Sequence, residues 1–510
     1  MAADFVVRYA SFLGGDWGNR DASRAKENQY RGENVKLFES GLLGVRNGLK
    51  KLDVADMPVH TDGYGPKGVD IWKDNVVVVL DKPYLINLNG DRKAKLMGEF
   101  PKGPPTTPSR MAQYRQDLYF NHSGYIFKYD GSKITEITLP AKLKGLTRWN
   151  YYLLAWDEDN PQRLYFTEVG ESGAQPDVWG VNNFLDIGGN EPITALLPMY
   201  NTLYVAKQSG WYQVSGVLGD RPYVRRIANG NGPADDRVAA VTTDNRVLYW
   251  GPDNTPVWFN GEVPYMDKEF RVESLETYYP SDSVAASVTG RHNLMLGEPS
   301  DSFDDADAAT AMLEYDSGRW STHTFSGVKM GGIAGHDLRT TIDKPANTMF
   351  MVNRPDTVGQ PVELYSYALA QIRAGNNDDK WAAASDVGLP DLLKGYVEFP
   401  AYYDPQSRLV MVRNLVVQFR HWQSGVEHSK NELQVQYRPM GRYEGGTIDT
   451  KSQLWVENSD DAEDGGSDVT WRIGMGKYGW ANGFQIVFPV MRGVALRSIE
   501  AHVEVRSARL

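Results

Sequence analysis

Histidines and carboxylates are the residues of this 510-residue sequence whose types and spacing could do chemistry. No two of the histidines show the His-Glu-x-x-His spacing that holds zinc on one face of a helix. The chain has no cysteine, which excludes disulfides and thiolate metal ligands. We therefore expect structural or surface roles for its eight histidines, which are His60, His122, His292, His323, His336, His421, His428 and His502.

Two acidic stretches, Asp301–Asp307 and Asp460–Gly466, could offer carboxylates to calcium. The first lacks the glycine and the terminal glutamate of an EF-hand loop. A solvated loop is the favoured interpretation of each stretch, and calcium binding stays open.

Motifs for catalysis are incomplete. Tyr315-Asp-Ser-Gly-Arg-Trp320 approaches the Ser-x-Asp-x-Gly-x-x-Trp turn of sialidase-like propellers, but its tryptophan comes one residue early and the motif does not recur. An aspartate that caps a turn between strands explains it better. Gly188-Gly189 lies between two strand-like runs, with no helix after it to bind phosphate. No residue is therefore predicted to be catalytic, cofactor-binding or metal-binding, and the chain is not expected to be an enzyme.

Aromatic side chains could instead stack on sugars. The candidates alternate with period two along strand-like runs, which favours packing in the core and between repeated units. They are Trp149, Tyr151, Tyr152, Trp156 and Trp179.

Composition indicates the elements that must position these residues. Aromatics make up 12% of the chain, beside 50 glycines and 27 prolines, which favours many short strands joined by tight turns. We therefore predict an all-β protein.

The formal net charge of −11 disfavours recruitment of free nucleic acid or anionic membranes. No apolar run reaches the about 18 residues of a membrane span, and the first residues lack the apolar core of a secretory signal.

A quasi-repeat of strands and turns begins at about Val69. Its units open roughly 35 to 47 residues apart, and each offers three or four short alternating strands. This period is typical of β-propeller blades, which must stack on one another to bury both faces of each sheet. We predict about seven blades, with a two-sheet sandwich as the competing architecture. The units open near Val69, Met111, Leu146, Ile193, Val238, Val284 and Met330.

The pattern predicts three regions. Residues 1–60 form an N-terminal segment with a hairpin at Arg46-Asn-Gly48, and this segment could complete a blade or contact a neighbouring subunit. Residues 61–375 form the β-propeller. Residues 376–510 form a C-terminal β-sandwich or jelly-roll domain, with a short helix predicted at Lys380–Lys394 followed by seven longer strands.

The clearest strand–turn–strand unit is Gln162–Gly216. Two strand-like runs, Arg163–Val169 and Asn201–Ala206, flank a polar loop that carries Trp179. We interpret the stretch as two half-blades and their connection. Nothing in it supports catalytic carboxylates at Glu168, Asp177 or Glu191.

Two groups of residues resemble one known family. Near the N-terminus they are Gly14-Gly15, Arg20-Asp21, Glu33-Asn34 and Arg46-Asn47-Gly48; in the clearest unit they are Arg163–Glu168, Asp177–Trp179, Asn183–Gly188 and Pro192–Leu196. They carry a resemblance to the tail propeller proteins of short-tailed bacteriophages. The resemblance covers about half of the chain, in patches. That group includes the tail nozzle (tail tubular protein B) and the tail-hub or DNA-stabilisation proteins.

The resemblance implies a non-enzymatic virion protein assembled in the host cytoplasm. A ring of about six copies would extend the DNA-ejection conduit below the portal and adaptor, beside tail fibres or tip proteins, and would pass DNA without reading its sequence. It carries over no functional residues. Two alternatives remain: a phage or cell-surface propeller that binds host glycans, and a propeller glycosidase with paired carboxylates.

Overall fold

The fold was analysed in a computed structural model. The residues that the structure describes are 3–10, 15–16, 29–33, 35–37, 42–45, 49–59, 66–73, 75–88, 92–170, 173–220, 222–230, 232–242, 244–251, 256–266, 284–288, 292–297, 310–316, 319–325, 330–336, 348–355, 358–368, 395–403, 405, 408–421, 432–440, 449–454, 467–474, 483–490 and 494–506. Among these residues, no helix has the length and apolar character needed to cross a membrane.

Short strands open the chain. They are β1 (Ala3–Ala10), β2 (Gly15–Asp16), β3 (Gln29–Glu33), β4 (Val35–Leu37), β5 (Leu43–Val45) and β6 (Leu49–Lys51).

Four-stranded antiparallel units, here called blades, follow one another along the chain. Blade 1 is β7 (Gly68–Trp72), β8 (Asn75–Val79), β9 (Pro83–Asn87) and β10 (Ala94–Leu96). Blade 2 is β11 (Arg110–Tyr114), β12 (Asp117–His122), β13 (Tyr125–Tyr129) and β14 (Ile134–Glu136). Blade 3 is β15 (Leu143–Trp149), β16 (Tyr152–Asp157), β17 (Arg163–Phe166) and β20 (Phe184–Asp186), with the small hairpin β18 (Glu168–Gly170) and β19 (Gly173–Gln175) inserted before its last strand.

Blade 4 is β21 (Ile193–Met199), β22 (Thr202–Lys207), β23 (Gly210–Ser215) and β24 (Tyr223–Asn229). A 3-10 turn at Asp236–Val238 leads into blade 5, which is β25 (Ala239–Val241), β26 (Val247–Trp250), β27 (Pro256–Phe259) and β28 (Pro264–Met266). Blade 6 is β29 (Val284–Val288), β30 (His292–Gly297), β31 (Thr310–Asp316) and β32 (Arg319–Phe325). Blade 7 is β33 (Met330–His336), β34 (Thr348–Asn353) and β35 (Leu364–Ala368), joined by β6.

The remaining strands follow the propeller. They are β36 (Gly395–Glu398), β37 (Tyr402–Tyr403), β38 (Leu409–His421), β39 (Glu432–Met440), β40 (Asp449–Leu454), β41 (Ser467–Gly474), β42 (Gly483–Val490) and β43 (Val494–Arg506).

The first strands of the blades form a closed ring. β7 contacts β11, and the contacts continue through β15, β21, β25 and β29 to β33, which in turn contacts β7. A β-propeller therefore surrounds a central channel that these inner strands line. Its seven units in the described residues open at Gly68, Arg110, Leu143, Ile193, Ala239, Val284 and Met330, within three residues of the predicted openings.

Burial explains why the second strand of a blade is so apolar. β8 reads Asn-Val-Val-Val-Val, and β16 reads Tyr-Leu-Leu-Ala-Trp-Asp, with every residue of β16 buried. Such strands have a neighbouring strand on each side and a neighbouring blade on each face, so they read as continuous apolar runs. Outer strands contact water, and β24 is largely exposed. Apolar clusters join adjacent blades, for example Trp72 and Val77 of blade 1 with Phe120 of blade 2.

The last blade is completed from the other end of the chain. β6 pairs antiparallel with β35, with Lys50 opposite Ser366. The Leu52 amide donates to the Leu364 carbonyl at 2.8 Å, and Lys51 forms an ion pair with Glu363. These contacts close the ring without a covalent bond.

The hairpin predicted at Arg46-Asn-Gly48 is wrong. Those three residues lie outside the described ones, but the flanking strands belong to different sheets: β5 pairs with β4 and β43, whereas β6 pairs with β35. An Asn-Gly step favours a tight turn locally, and here the partner strands that come from far along the chain decide the pairing.

N-terminal and C-terminal strands share a second layer of structure. β1, β4, β5, β38, β41 and β43 form one six-stranded sheet. A second sheet holds β36, β37, β39, β40 and β42 and continues through β3 into the outer strand β32 of blade 6. One apolar cluster joins both sheets and includes Leu43, Phe399, Val417 and Phe484. Sheet pairing therefore joins residues 1–60 to 376–510, and the predicted domain bounds stay predictions.

Candidate functional site

A cluster of charged residues crosses the mouth of the central channel. Arg110 is the first residue of β11 in blade 2, whereas Asp235 and Asp236 directly precede β25 in blade 5. Arg110 donates to Asp235 at 2.6 Å and also forms an ion pair with Asp236. Arg237 donates to Asp235 at 3.2 Å. Because blades 2 and 5 are not neighbours in the ring, these ion pairs span the channel where the inner strands begin.

The cluster is electrically balanced. Burial disfavours the ionised form of Asp235, but Arg110 and Arg237 outweigh it and lower the pKa of that carboxyl. Burial raises the pKa of Asp236 to about 6, against the attraction of Arg110. The cluster therefore contains two carboxyl groups and two guanidinium groups.

Two carboxyl groups whose pKa values differ are a pattern of acid–base enzymes. Here, however, both contact the same nitrogen of Arg110, and the two carboxyl groups also lie against each other. A glycosidase needs its two carboxyl groups to face each other across a sugar. The geometry instead fits an ion-pair lock that holds blades 2 and 5 together across the channel.

Asp70 adds a further carboxyl group to the inner ring. It lies on β7, is half-buried, and accepts a hydrogen bond from the Ile71 amide at 2.7 Å. Burial raises the pKa of Asp70 to about 6.

Blades 2 and 3 are tied by a polar contact. Asp177, in the connection between β17 and β20, accepts from the Tyr119 hydroxyl at 2.6 Å and from Lys128 Nζ at 2.7 Å. Burial and this carboxylate raise the pKa of Tyr119. Asp177 therefore has a structural role.

Blades 6 and 7 share a fully buried polar group. Glu314 Oε2 lies 3.0 Å from His323 Nε2 and accepts from the Tyr367 hydroxyl at 3.0 Å. All three residues are at most 1% exposed. A buried carboxylate with two partners satisfies the requirement that polar groups in a core be hydrogen-bonded.

Gly188-Gly189 binds a side chain of the protein itself. Buried Lys207 on β22 donates to the Gly188 carbonyl at 2.8 Å and to the Gly189 carbonyl at 3.2 Å. Burial lowers the pKa of Lys207. The carboxylate of Glu191 nearby accepts from the Ser209 amide at 2.7 Å. These contacts fix the connection between blades 3 and 4.

Four of the five aromatic candidates are core residues. Trp149, Tyr152, Trp156 and Trp179 are each at most 7% exposed, which confirms the packing interpretation. Tyr151 differs: it occupies the turn between β15 and β16 and is 69% exposed.

Two of the described histidines, His122 and His323, have buried structural positions. His122 is 1% exposed and lies against Phe100 and Phe127, with ring centroids 4.3 and 4.8 Å away. His323 bonds Glu314 as above. Tyr315 and Trp320 of the sialidase-like motif pack on Trp258 of blade 5.

Several predicted features lie outside the described residues: Asp301–Asp307, Asp460–Gly466, the helix at Lys380–Lys394, and His60 and His428. Within the described ranges, no group of three or more histidines and carboxylates is placed to hold a metal ion.

Sequence reasoning missed Arg110, Asp235 and Asp236. The sequence signal that could have identified these residues is their position along the repeat. Each comes at or just before the first strand of a repeat unit, where the chain reaches the propeller axis. Periodicity predicts that strand but not which blade lies opposite.

Comparison with known proteins found no protein-family model and no curated protein that matches the chain. Among solved structures, PorZ, a bacterial surface component of the type-IX secretion system of Porphyromonas gingivalis, is 12% identical with a TM-score of 0.38. That match covers 71% of this chain and 44% of the PorZ chain, so this chain spans less than half of PorZ.

Two further matches are of similar quality. The β-propeller domain of the trilobed protease from Pyrococcus furiosus is 10% identical with a TM-score of 0.37, covering 62% of this chain and 99% of that one. AztD from Citrobacter koseri is 9% identical with a TM-score of 0.36, covering 67% and 98%. At these scores the likenesses carry no argument about function, and none of the three is a phage tail protein. The propeller fold stands on the strand pairing itself.

Proposed function

We propose that this protein is a structural, non-enzymatic component of a short-tailed phage tail, a nozzle or hub that assembles as a ring of copies. The ring would extend the conduit for genome ejection below the portal and adaptor. The resemblance of the N-terminal and blade-3 residues to tail propeller proteins supports this role, and so does the propeller fold.

One structural observation supports it most. Where charged and polar side chains converge in the described residues, they join blade to blade: Arg110 to Asp235 and Asp236, Tyr119 to Asp177, and Glu314 to Tyr367. Such ties make a rigid scaffold. They leave these groups bound to each other and not to a substrate.

The ion-pair bridge across the channel mouth bears on the path of DNA. With Arg110 and Asp235 bridging it, a duplex would travel between copies of the chain and not along the axis of one propeller. A net charge of −11 per copy favours a wall from which phosphates are repelled, so that DNA slides.

A second candidate, recognition of host glycans, is favoured by one observation. Tyr151 and Tyr200 are 69% and 79% exposed at the tips of turns, where an aromatic face could stack on a sugar.

Mass measurement in solution separates the two candidates. The purified protein is mixed with the adaptor and portal proteins of its phage, and separately with cell-wall polysaccharide of the host. A nozzle or hub forms a ring on the adaptor. A lone monomer that ignores the adaptor and binds the polysaccharide would contradict the proposal and favour the glycan-binding alternative.

A further inference from the structure

One face of the propeller gathers exposed apolar side chains. The turns after each first strand and after each third strand emerge on this side, here called the turn face, because successive strands of a blade are antiparallel. Eight large apolar side chains in the described residues are more than half exposed, and six of them lie on the turn face of blades 3 to 5. These six, here called the arc, are Tyr151, Val181, Tyr200, Val217, Tyr223 and Val263.

Contacts between turns join blades 3, 4 and 5 within the arc. The Tyr152 hydroxyl donates to the Leu218 carbonyl at 2.9 Å, which places the turn that carries Val217 against blade 3. Gly261, in the turn that carries Val263, lies against the Tyr204 hydroxyl and the end of the Met199 side chain, next to Tyr200. The arc therefore runs over three adjacent blades, and an apolar surface of this kind marks an interaction site.

Positive charge flanks the arc. The Tyr114 hydroxyl donates to the Tyr151 carbonyl at 3.1 Å. The guanidinium carbons of Arg115 and Arg148 lie 5.8 and 5.2 Å from the centroid of the Tyr114 ring. Neither arginine has an ion-pair partner among the residues described here. These two guanidinium groups can attract a carboxylate of a partner at the Tyr151 end of the arc, whereas the turns of Val217 and Val263 carry the exposed carboxyl groups of Asp220 and Glu262.

We infer that the arc docks a second copy of this chain. The chain carries 65 acidic residues against 54 basic ones, so the next copy can supply a carboxylate to Arg115 and Arg148. Valines between the tyrosines favour a protein over a sugar, because a branched aliphatic side chain offers no flat ring on which a sugar can stack.

Size supports the same occupant. With 59–79% of each exposed and about 150–250 Å² per aromatic side chain, the three tyrosines together offer roughly 400 Å². The valines and arginines bring the surface toward the about 800 Å² per partner of a standard protein interface. A contact between this face and a different surface of the next copy is head-to-tail, which is the kind that closes rings. The inference rests on the proposed function, since a ring component needs such a contact.

Site-specific blocking tests the inference. The chain has no cysteine, so Asn201→Cys and Gln208→Cys each create one thiol. These two exposed residues flank β22, so that a bulky maleimide label lies on the turn face at Asn201 and on the opposite face at Gln208. Sedimentation of each labelled protein over a concentration series measures self-association. We expect loss of association with the label at Asn201 only; loss at both positions, at neither, or at Gln208 alone overturns the assignment of this face.

Substitution gives a second test. We expect Tyr151→Ser with Tyr200→Ser to weaken self-association about tenfold or more, since exposed tyrosines are frequent hot spots. Tyr403→Ser, at a 43% exposed tyrosine outside the arc, is the matched control and should change nothing. Circular dichroism verifies that each variant is folded.

Other outcomes separate this inference from the proposed function. A wild-type chain that stays monomeric at every concentration reached, or an arc that binds polysaccharide and not the chain, overturns the inference. The proposed function fails separately, if the protein is absent from the tail in micrographs of phage particles.

Discussion

At the scale of single residues, Arg110 connects two blades that are not neighbours in the ring. Replacing it by alanine leaves Asp235 and Asp236 side by side without their shared cation. We expect Arg110→Ala to lower the free energy of unfolding by about 3 kcal/mol, because breaking a largely buried ion pair strands its partner. Denaturant unfolding followed by tryptophan fluorescence measures the change.

Arg163→Ala is the control for Arg110→Ala. Arg163 pairs with Asp186 at 3.1 Å, but the Asp186 side chain is 53% exposed, so the loss should stay below about 1 kcal/mol. Equal losses in the two variants would mean that Arg110 is no more than a surface ion pair.

Gly145 is required by its backbone and by its neighbour. Its φ is +68°, and a Cβ there would overlap the ring of Trp156. We expect Gly145→Ala to destabilise the protein by about 2–4 kcal/mol, from left-handed strain and overpacking together. Gly131→Ala has the backbone strain without the overlap, because Gly131 has a φ of +100° and a Cβ there would meet no neighbouring atom. We expect it to lower the free energy of unfolding by less than half as much in the same assay.

His122 makes stability depend on pH. Burial lowers the pKa of His122 to about 4, below the value of about 6.5 expected in the unfolded chain. Between these values the unfolded state binds a proton that the folded state does not, so stability is lost as pH falls from about 6.5 to 4. The loss is at most about 3.5 kcal/mol, at roughly 1.4 kcal/mol per pH unit.

His122→Gln isolates this contribution. We expect the free energy of unfolding of the wild type to fall more than that of the variant between pH 7 and pH 5. The raised pKa of Asp70 acts in the opposite direction and is common to both proteins. Parallel pH profiles would show that His122 titrates as it does in the unfolded chain.

At the scale of elements, closure of the ring depends on β6. Lys50 lies opposite Ser366 in the register of β6 and β35. We expect the double variant Lys50→Cys with Ser366→Cys to form an intramolecular disulfide on oxidation and to unfold at a higher temperature than its reduced form, because the bond closes a long loop. Lys50→Cys alone is the control. Failure of the two thiols to pair would show that β6 does not complete blade 7.

Strand order within blades could be predicted, whereas pairing between the ends of the chain could not. Alternation and turn residues carry local information, and they placed the opening of every blade within three residues. The pairing of β1 with β43 joins residues almost 500 positions apart, and no local pattern specifies such a partner. The misassigned hairpin at Arg46–Gly48 has the same cause.

In the candidate site, too, local features could be predicted from the sequence and contacts between distant residues could not. Buried Trp149 and Trp156 follow from period-two alternation, but exposed Tyr151 has the same residue type and differs only by lying in a turn. The lock of Arg110 with Asp235 and Asp236 depends on which blades face each other across the ring. That arrangement is a property of the closed ring and is absent from any single repeat.

At the scale of the whole molecule, the two ends of the chain and the propeller form one connected structure. β6 closes the ring, and β3 extends the sheet of blade 6 toward β36. Glu33, one of the residues that resemble tail propeller proteins, lies at this junction, opposite Thr322 and Tyr396. Strand pairing at both ends therefore fixes the propeller to the terminal sheets.

Electron microscopy of phage particles tests the proposed role most directly. The particles carry the Gln208→Cys protein with a gold cluster on its single thiol, away from the arc. We expect several gold particles in a ring around the tail axis, below the portal. Gold scattered over the capsid, or absent from purified particles that remain infectious, would contradict it.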